Sequence, residues 1–199
     1  MEKKQTILVM YSGGLDSLGM TYKLLTDPEY KDYALHIHHI HIVNVEGRDR
    51  AEAITVSIVM EQLKNMGFKF DYDDSRIASR PYNQQYMYDT DSINFFAGYI
   101  ASVNPHIKKI AMGMNATDAN HSLEERRKRA NQILQAFTPV EKIFPVMDMS
   151  KSEIYNSLPE SLRDKFWSCR TPVYGETSIT PCKKCHTCLE LKRQDIKGY

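Results

Sequence analysis

The sequence predicts an α/β protein built on a parallel sheet, with a small metal-binding module at its carboxyl end, and three features predict it. An apolar run, Thr6-Ile7-Leu8-Val9-Met10, leads through Ser12-Gly13-Gly14 directly into a helical pattern. Further strand-like runs alternate with helical ones, the order that gives parallel strands joined by helical crossovers. All four cysteines fall after residue 168, in the array C-x12-C-x2-C-x2-C. With 199 residues and 42% hydrophobic content, the chain can bury one sizeable core. A formal net charge of +1 exerts no global pull toward nucleic acid or membrane. Met1-Glu2-Lys3-Lys4 runs straight into the first strand, which leaves no room for a signal peptide, and no apolar stretch is long enough to span a bilayer; the expectation is a cytoplasmic protein.

The first unit carries the chemistry. A buried strand running into Ser-Gly-Gly and a helix leaves free backbone N–H groups at the helix start, where they can cradle phosphate oxygens. Glycines let that backbone come close. Ser12 and Ser17 add hydroxyls, and Asp16, which would repel a bare phosphate, makes sense with a bridging Mg²⁺. A plain Gly-Gly turn capped by Asp or Ser is the alternative. Neither Gly-x4-Gly-Lys-Ser/Thr nor Gly-x-Gly-x-x-Gly occurs, so kinase-like and NAD-dependent readings lose their usual support.

After the loop, Leu18, Tyr22 and Leu25 recur at helical spacing until Asp27-Pro28. Tyr33 to Val43 reads as a second strand. It carries four histidines in six residues, His36 and His38 on one face, His39 and His41 on the other. Polar strand histidines are one reading; if one of them serves a ligand, His41 or His39 near the carboxyl end is better placed. Gly47 to Glu52 opens a helix with Ile54, Ile58, Val59, Leu63 and Met66 near one face, ended by Gly67. Phe68 to Tyr72 reads as a short third strand and Arg76 to Tyr88 as a loop, whose tyrosines either stack on a base or pack the loop down. A helix over about 91–103 precedes a fourth strand, Ile107 to Gly113, and then Met114-Asn115-Ala116-Thr117-Asp118, where Asn115 and Asp118 either form turns or touch a ligand. Ser122-Leu123-Glu124-Glu125 has the form of a capping box before Arg126-Arg127-Lys128-Arg129, a run that either grips phosphates or forms a solvated face. Phe144-Pro145-Val146 suggests a short strand or turn, and Ser150-Lys151-Ser152-Glu153 a helix.

In a reducing compartment Cys169, Cys182, Cys185 and Cys188 point to metal rather than disulfides. Four thiolates suit a closed tetrahedral Zn²⁺ site, with an iron-sulfur cluster as the rival. The metal should hold Leu162, Phe166, Trp167 and Leu189 over the end of the sheet. Because the loop lies far away in sequence, weak ATP binding is expected to survive metal loss.

Ser-Gly-Gly-x-Asp-Ser after a first strand resembles the pyrophosphate loop of the PP-loop ATP pyrophosphatase superfamily. Several elements together make the chain similar to the 7-cyano-7-deazaguanine synthase family of the queuosine and archaeosine pathways: the loop Ser12 to Ser17; Gly113, Asn115 and Asp118 as Gly-x-Asn-x-x-Asp; Pro145 and Ser150 to Ile154; and Trp167-Ser168-Cys169 followed by Pro181-Cys182-x-x-Cys185-x-x-Cys188. That resemblance implies a Rossmann-like, adenine nucleotide alpha hydrolase-like fold, with residues 1–160 as the nucleotide-binding domain and 161–199 as a zinc module packed on it in one compact unit. It implies a ligase that uses ATP, Mg²⁺ and ammonia to convert 7-carboxy-7-deazaguanine to the nitrile, a structural Zn²⁺ ion and a homodimer, with no membrane partner and no requirement for nucleic acid. It also implies ATP contacts from Tyr11, Ser12, Gly13, Gly14, Leu15, Asp16, Ser17, Gly113 and Asn115, and catalytic roles for Ser12, Asp16, Ser17, Asp118 and Lys151. Two family segments are missing. Asp89-Thr90-Asp91-Ser92 stands where Pro-x-Arg-Asn is usual, and the Tyr-Pro-Asp-Cys-Arg segment after Asp118 is replaced by the charged helix. The rival readings are a tRNA thiolation enzyme with an iron-sulfur cluster and a nucleotide-binding module without catalysis.

Overall fold

A run such as Ile7-Leu8-Val9-Met10, apolar at every position, can be satisfied only by a strand covered on both faces. The computed structural model, which describes residues 4–78, 88–121 and 124–199 (119–121 by backbone alone), provides that cover. Strands β1 (Thr6–Met10), β2 (Ala34–Val43), β3 (Asp71–Ala78), β4 (Ile107–Met112) and β5 (Glu141–Ile143) form one sheet in the order β3-β2-β1-β4-β5. Every pairing is parallel. Ile7, Val9, Leu35 and Ile37 turn to one face, against α1 (Leu15–Thr26) and α2 (Asp49–Asn65). Leu8, Met10, Ile40 and Ile42 turn to the other, against α3 (Asp89–Val103) and Leu134 of α5 (Glu124–Gln135). The α/β fold with a parallel sheet is therefore as predicted.

Between β1 and β4 the strand order reverses, so the crossovers leave opposite faces and their carboxyl ends frame a crevice. The loop after β1 and the short helix α4 (Ala116–His121) after β4 both open into it. Three further helices follow, α6 (Lys151–Ser157), α7 (Glu160–Arg163) and α8 (His186–Arg193), with a two-stranded ribbon, β6 (Val173–Tyr174) and β7 (Ile179–Thr180), before α8. Ile154, Leu162, Phe166, Leu191 and Ile196 join the core on the α1 side. No helix among the described residues is long and apolar enough to cross a membrane.

Several elements differ from the sequence reading. The third strand runs Asp71–Ala78 rather than Phe68 to Tyr72. Parallel pairing with His36 to Val43 holds the polar stretch Asp73-Asp74-Ser75-Arg76 in register at the sheet edge, where side chains need no burial. On α2 the buried stripe is Ala51, Glu52, Val56, Val59, Met60 and Leu63, while Ile54 and Ile58 are 45% and 47% exposed. An ion pair to Arg48 takes Glu52 inward and rotates the buried face away from those two isoleucines. The fifth strand is Glu141–Ile143, and of the two readings for Phe144-Pro145-Val146 the structure has the turn, closed by the Met147 N–H on the Phe144 carbonyl at 3.1 Å; Leu189 is 40% exposed while Cys188 and Leu191 are buried. The capping box at Ser122 and most of the loop after Ala78 lie outside the described residues.

Candidate functional site

The loop after β1 adopts the shape its glycines permit. Gly13 sits at φ +87, and Gly14 caps α1 with extended backbone, so the chain turns sharply into the helix. The Gly14 N–H donates to Ser12 Oγ at 3.3 Å, Ser12 Oγ donates to Ser17 Oγ at 3.1 Å, and Ser17 Oγ donates to the Gly14 carbonyl at 2.9 Å. The two hydroxyls are thus fixed over the start of α1, where the helix dipole favours an anion. Tyr11 and Leu15 turn their side chains into the core, at 2% and 1% exposure. Burial pushes the Tyr11 hydroxyl well above its usual range.

Asp16 points across the crevice. Its Oδ2 accepts from Lys151 Nζ at 2.8 Å and from Asn115 Nδ2 at 3.0 Å, while its Oδ1 is buried with no hydrogen-bond partner among the described residues. Asn115 is fully buried. Its Nδ2 also donates to Asp118 Oδ2 at 2.7 Å, and its Oδ1 accepts the backbone N–H groups of Thr117 and Asp118 at 2.8 and 3.1 Å. Burial raises the Asp118 carboxyl, and the charge of Asp16 adds to that while Lys151 opposes it. Burial of Lys151 acts to lower its pKa, but Asp16, Asp118 and Glu190 outweigh it, so the ammonium stays charged above the usual lysine range. A capping box sets α6: Ser150 Oγ accepts the Glu153 N–H at 3.2 Å and Glu153 Oε2 accepts the Ser150 N–H at 2.7 Å, which presents Lys151 at the first helical position. Gly113 lets β4 approach, since a Cβ there would lie 2.9 Å from Ser17 N.

The structure thus brings together Ser12, Gly13, Gly14, Asp16, Ser17, Gly113, Asn115, Asp118 and Lys151. The buried Asp16 oxygen, unpartnered among the described residues and beside two fixed hydroxyls and a helix start, fits a Mg²⁺-phosphate group.

Three groups escaped the sequence reading. Ser168 Oγ accepts the Leu15 N–H at 3.4 Å, and the Trp167 N–H donates to the Gly13 carbonyl at 2.8 Å, so the residues just before Cys169 brace the loop itself. Only their position beside a cysteine hinted at this. Glu190 on α8 has its pKa raised by burial and by Asp118 and Asp16, with Oε1 buried and unpartnered among the described residues. Nothing in the sequence marks it. The third is an ion cluster. Arg48 binds Glu46 at 3.0 Å, Glu52 at 3.3 Å and also Asp89, while Arg170 binds Glu46 at 2.8 Å and Asp89 at 3.4 Å. Burial pushes Glu52 up to about 7, with Arg48 pulling the other way. The cluster walls a cavity of about 200 Å³ that also touches Met10, Ser12, His38 and Ile93. A broader depression of about 770 Å³ beside β5, lined by Asn131, Phe137 and Lys142 among others, touches none of these groups.

The histidines divide by strand face. A His39 ring nitrogen lies 2.9 Å from the Tyr11 carbonyl, and burial lowers its pKa to about 4. His41 lies 3.5 Å from Asp74. The other pair, His36 and His38, meets Asp73 at 2.9 and 2.5 Å.

In the tail, the Sγ atoms of Cys169, Cys182, Cys185 and Cys188 all lie within 4.8 Å of one another and could hold a metal. The Cys182 N–H donates to Cys169 Sγ, and the Cys185 N–H to Cys182 Sγ, each at 3.2 Å. Burial acts to raise the Cys182 thiol, yet a hydrogen bond from Thr171 and two from backbone N–H groups bring it down to about 6.

No protein-family model matches the chain. No curated protein matches it either. Among solved structures it is similar to the U34-tRNA thiolase NcsA from Methanococcus maripaludis with its [4Fe-4S] cluster, at TM-score 0.53 and 18% identity, over 96% of this chain and 63% of that one. Two universal stress proteins lie further off. One in complex with cAMP has TM-score 0.43 and 9% identity over 74% of this chain and 100% of its own. UspA from Lactobacillus plantarum has TM-score 0.44 and 12% identity over 73% and 99%. The chain spans 63% of the thiolase's length, and at 18% identity what the two share is the fold, an α/β architecture on a parallel sheet.

Proposed function

We propose that the chain is an ATP-using enzyme of the PP-loop superfamily that splits ATP to AMP and pyrophosphate while adenylating an acceptor. The observation that carries this is Asp16: one oxygen held by Lys151 and Asn115, the other buried at the mouth of the loop with no hydrogen-bond partner among the described residues. The positive end of the α1 dipole, with the Ser12 and Ser17 hydroxyls fixed over it, would bind the β- and γ-phosphates. Asp16 and Asp118 would hold Mg²⁺, which supplies charge neutralisation when bound. Lys151 holds the Asp16 carboxylate in place at 2.8 Å and would add positive charge where negative charge builds up on the α-phosphate.

The acceptor we propose is 7-carboxy-7-deazaguanine or a close analogue, with ammonia as nucleophile and the nitrile or amide as product. Motif order from the loop to the cysteines supports it. The departure at Asp89 bears on acceptor contacts, because that carboxylate is bound by Arg48 and Arg170. Cysteine spacing supports Zn²⁺ in this reading. A tetrahedral ion with Zn–S bonds of about 2.3 Å holds its sulfurs roughly 3.8 Å apart, and Cys182 and Cys188 Sγ are 4.0 Å apart. A four-iron cluster places a separate iron under each sulfur and spreads the thiolates further. The homodimer, the cytoplasmic setting and the division at residue 160 belong to the same proposal.

A second reading, tRNA thiolation, draws on the likeness to a thiolase that carries a [4Fe-4S] cluster. One experiment separates them. Incubation with MgATP, ammonia and 7-carboxy-7-deazaguanine should yield AMP, pyrophosphate and the nitrile from a colourless, zinc-containing protein. ADP and phosphate as the only nucleotide products would overturn the adenylation reading; iron and acid-labile sulfide in anaerobically purified protein would put thiolation first.

A further inference from the structure

The histidine run on β2 is unused by the loop chemistry, and its geometry points to a second metal site: we propose that His36, His38 and Asp73 bind a divalent first-row transition ion. Residues two apart on a strand share a face, so His36 and His38 project side by side. Parallel pairing sets His38 opposite Asp73 on the edge strand β3, which brings a carboxylate onto that face. His36 Nε2 and His38 Nδ1 lie 2.9 and 2.5 Å from the same oxygen, Asp73 Oδ1, and the three atoms all fall within 4.8 Å of one another. Two imidazoles and one carboxylate from two adjacent strands form a donor set that suits zinc, cobalt or iron(II) and is poor for magnesium or calcium.

Burial is graded across the set. The His38 side chain is 3% exposed, His36 20% and Asp73 57%. Two ligands are therefore positioned by the sheet, and the His38 ring lies stacked beside Phe96, centroids 6.4 Å apart. The third ligand faces solvent, which leaves water a place in the remaining coordination position. Three protein ligands and an accessible fourth position describe an exchangeable ion, unlike the closed thiolate site in the tail. On binding, the ring protons that point at Asp73 move, by exchange with solvent, to His36 Nδ1 and His38 Nε2. His38 Nε2 is buried without a partner among the described residues, so it lacks the outer acceptor that strengthens most metal-bound histidines. That omission weakens binding by about tenfold or more, toward the micromolar range.

The proposal is tested on the full chain with its cysteines loaded with one equivalent of Zn²⁺, titrated with Co²⁺. One Co²⁺ per chain should bind with micromolar affinity and with ligand-field bands that lack sulfur-to-metal charge transfer. Hydrogen exchange over residues 71–78 should slow, because ligation ties β3 to β2. Asp73→Asn and His36→Gln alter exposed or half-buried side chains, so both variants should fold; each should weaken Co²⁺ by at least about tenfold while zinc content stays at one. Absence of a second binding event in the wild-type protein would overturn the proposal. So would a Co²⁺ affinity in both variants unchanged from that of the wild-type protein.

Discussion

Replacing Gly113 by alanine tests the crevice at its tightest point. The added Cβ would lie 2.9 Å from Ser17 N, 3.0 Å from Ser17 Cα and 3.1 Å from the Asp16 carbonyl carbon. All three atoms are backbone, so no side chain can swing aside, and ordinary contact requires a displacement of about 0.5 Å. Inserting a methyl group into such a space costs roughly 1–3 kcal/mol. That cost can be taken up in two ways. If the loop stays put, the whole penalty appears as lost stability; if the loop moves, the residues that would hold phosphate and Mg²⁺ move with it, and misplacement of about 1 Å can lower turnover by about 100-fold. For half that shift we expect roughly a tenfold fall in pyrophosphate release and a similar weakening of MgATP binding by calorimetry, with about 1 kcal/mol lost in urea unfolding. Gly98→Ala is the control. Its Cβ would meet the Leu134 carbonyl and Phe137 at 3.1 Å, at the contact of α3 with the end of α5, and should cost stability without touching the nucleotide. Wild-type pyrophosphate release and MgATP affinity in Gly113→Ala would refute the placement of β4 against the loop.

Asp16→Asn should reduce turnover at least about 100-fold and should also destabilise the fold, since it leaves the buried Lys151 ammonium without its closest partner; urea unfolding of Asp16→Asn, Lys151→Met and the double variant should give a coupling of roughly 2–4 kcal/mol, and purely additive losses would contradict the pairing. His39 should make the protein acid-sensitive. Its folded pKa, about 4, lies below the ordinary 6.5, so the stability it contributes is present above pH 6.5 and drains away as pH falls toward 4. Relative to His39→Gln, in which other titrating groups cancel, the wild-type protein should lose about 1.4 kcal/mol per pH unit across that window; parallel stability curves would remove His39 as the cause. Cys185→Ser should lower metal content and stability together. Since Trp167 and Ser168 brace Gly13 and Leu15, it should weaken MgATP binding as well; retention of full affinity in metal-free, folded protein would show that the loop stands without the tail.

Much of the fold is local and was legible in the sequence. The doubly apolar Ile7 to Met10, the glycines that admit a sharp turn, the helix that begins at Ser150-Lys151 and the cysteine array all act through neighbours in the chain, where periodicity, backbone freedom and ligand chemistry set the outcome. Tertiary structure decided what depends on who stands opposite. β3 extends through four polar residues because β2 offers an unfilled edge, a fact carried by register and not by composition. α2 buries Glu52 rather than Ile54 because Arg48 is there to pair with it. Ser168 and Glu190 reach the crevice from a tail more than 150 residues beyond the loop, carried there by the packing of Leu162, Phe166 and Leu191 against β1 and α1. Asp73 meets His36 and His38 through the parallel register of β3 on β2. Each of these contacts joins segments whose sequences carry no mark of one another, and only burial and strand pairing make them neighbours.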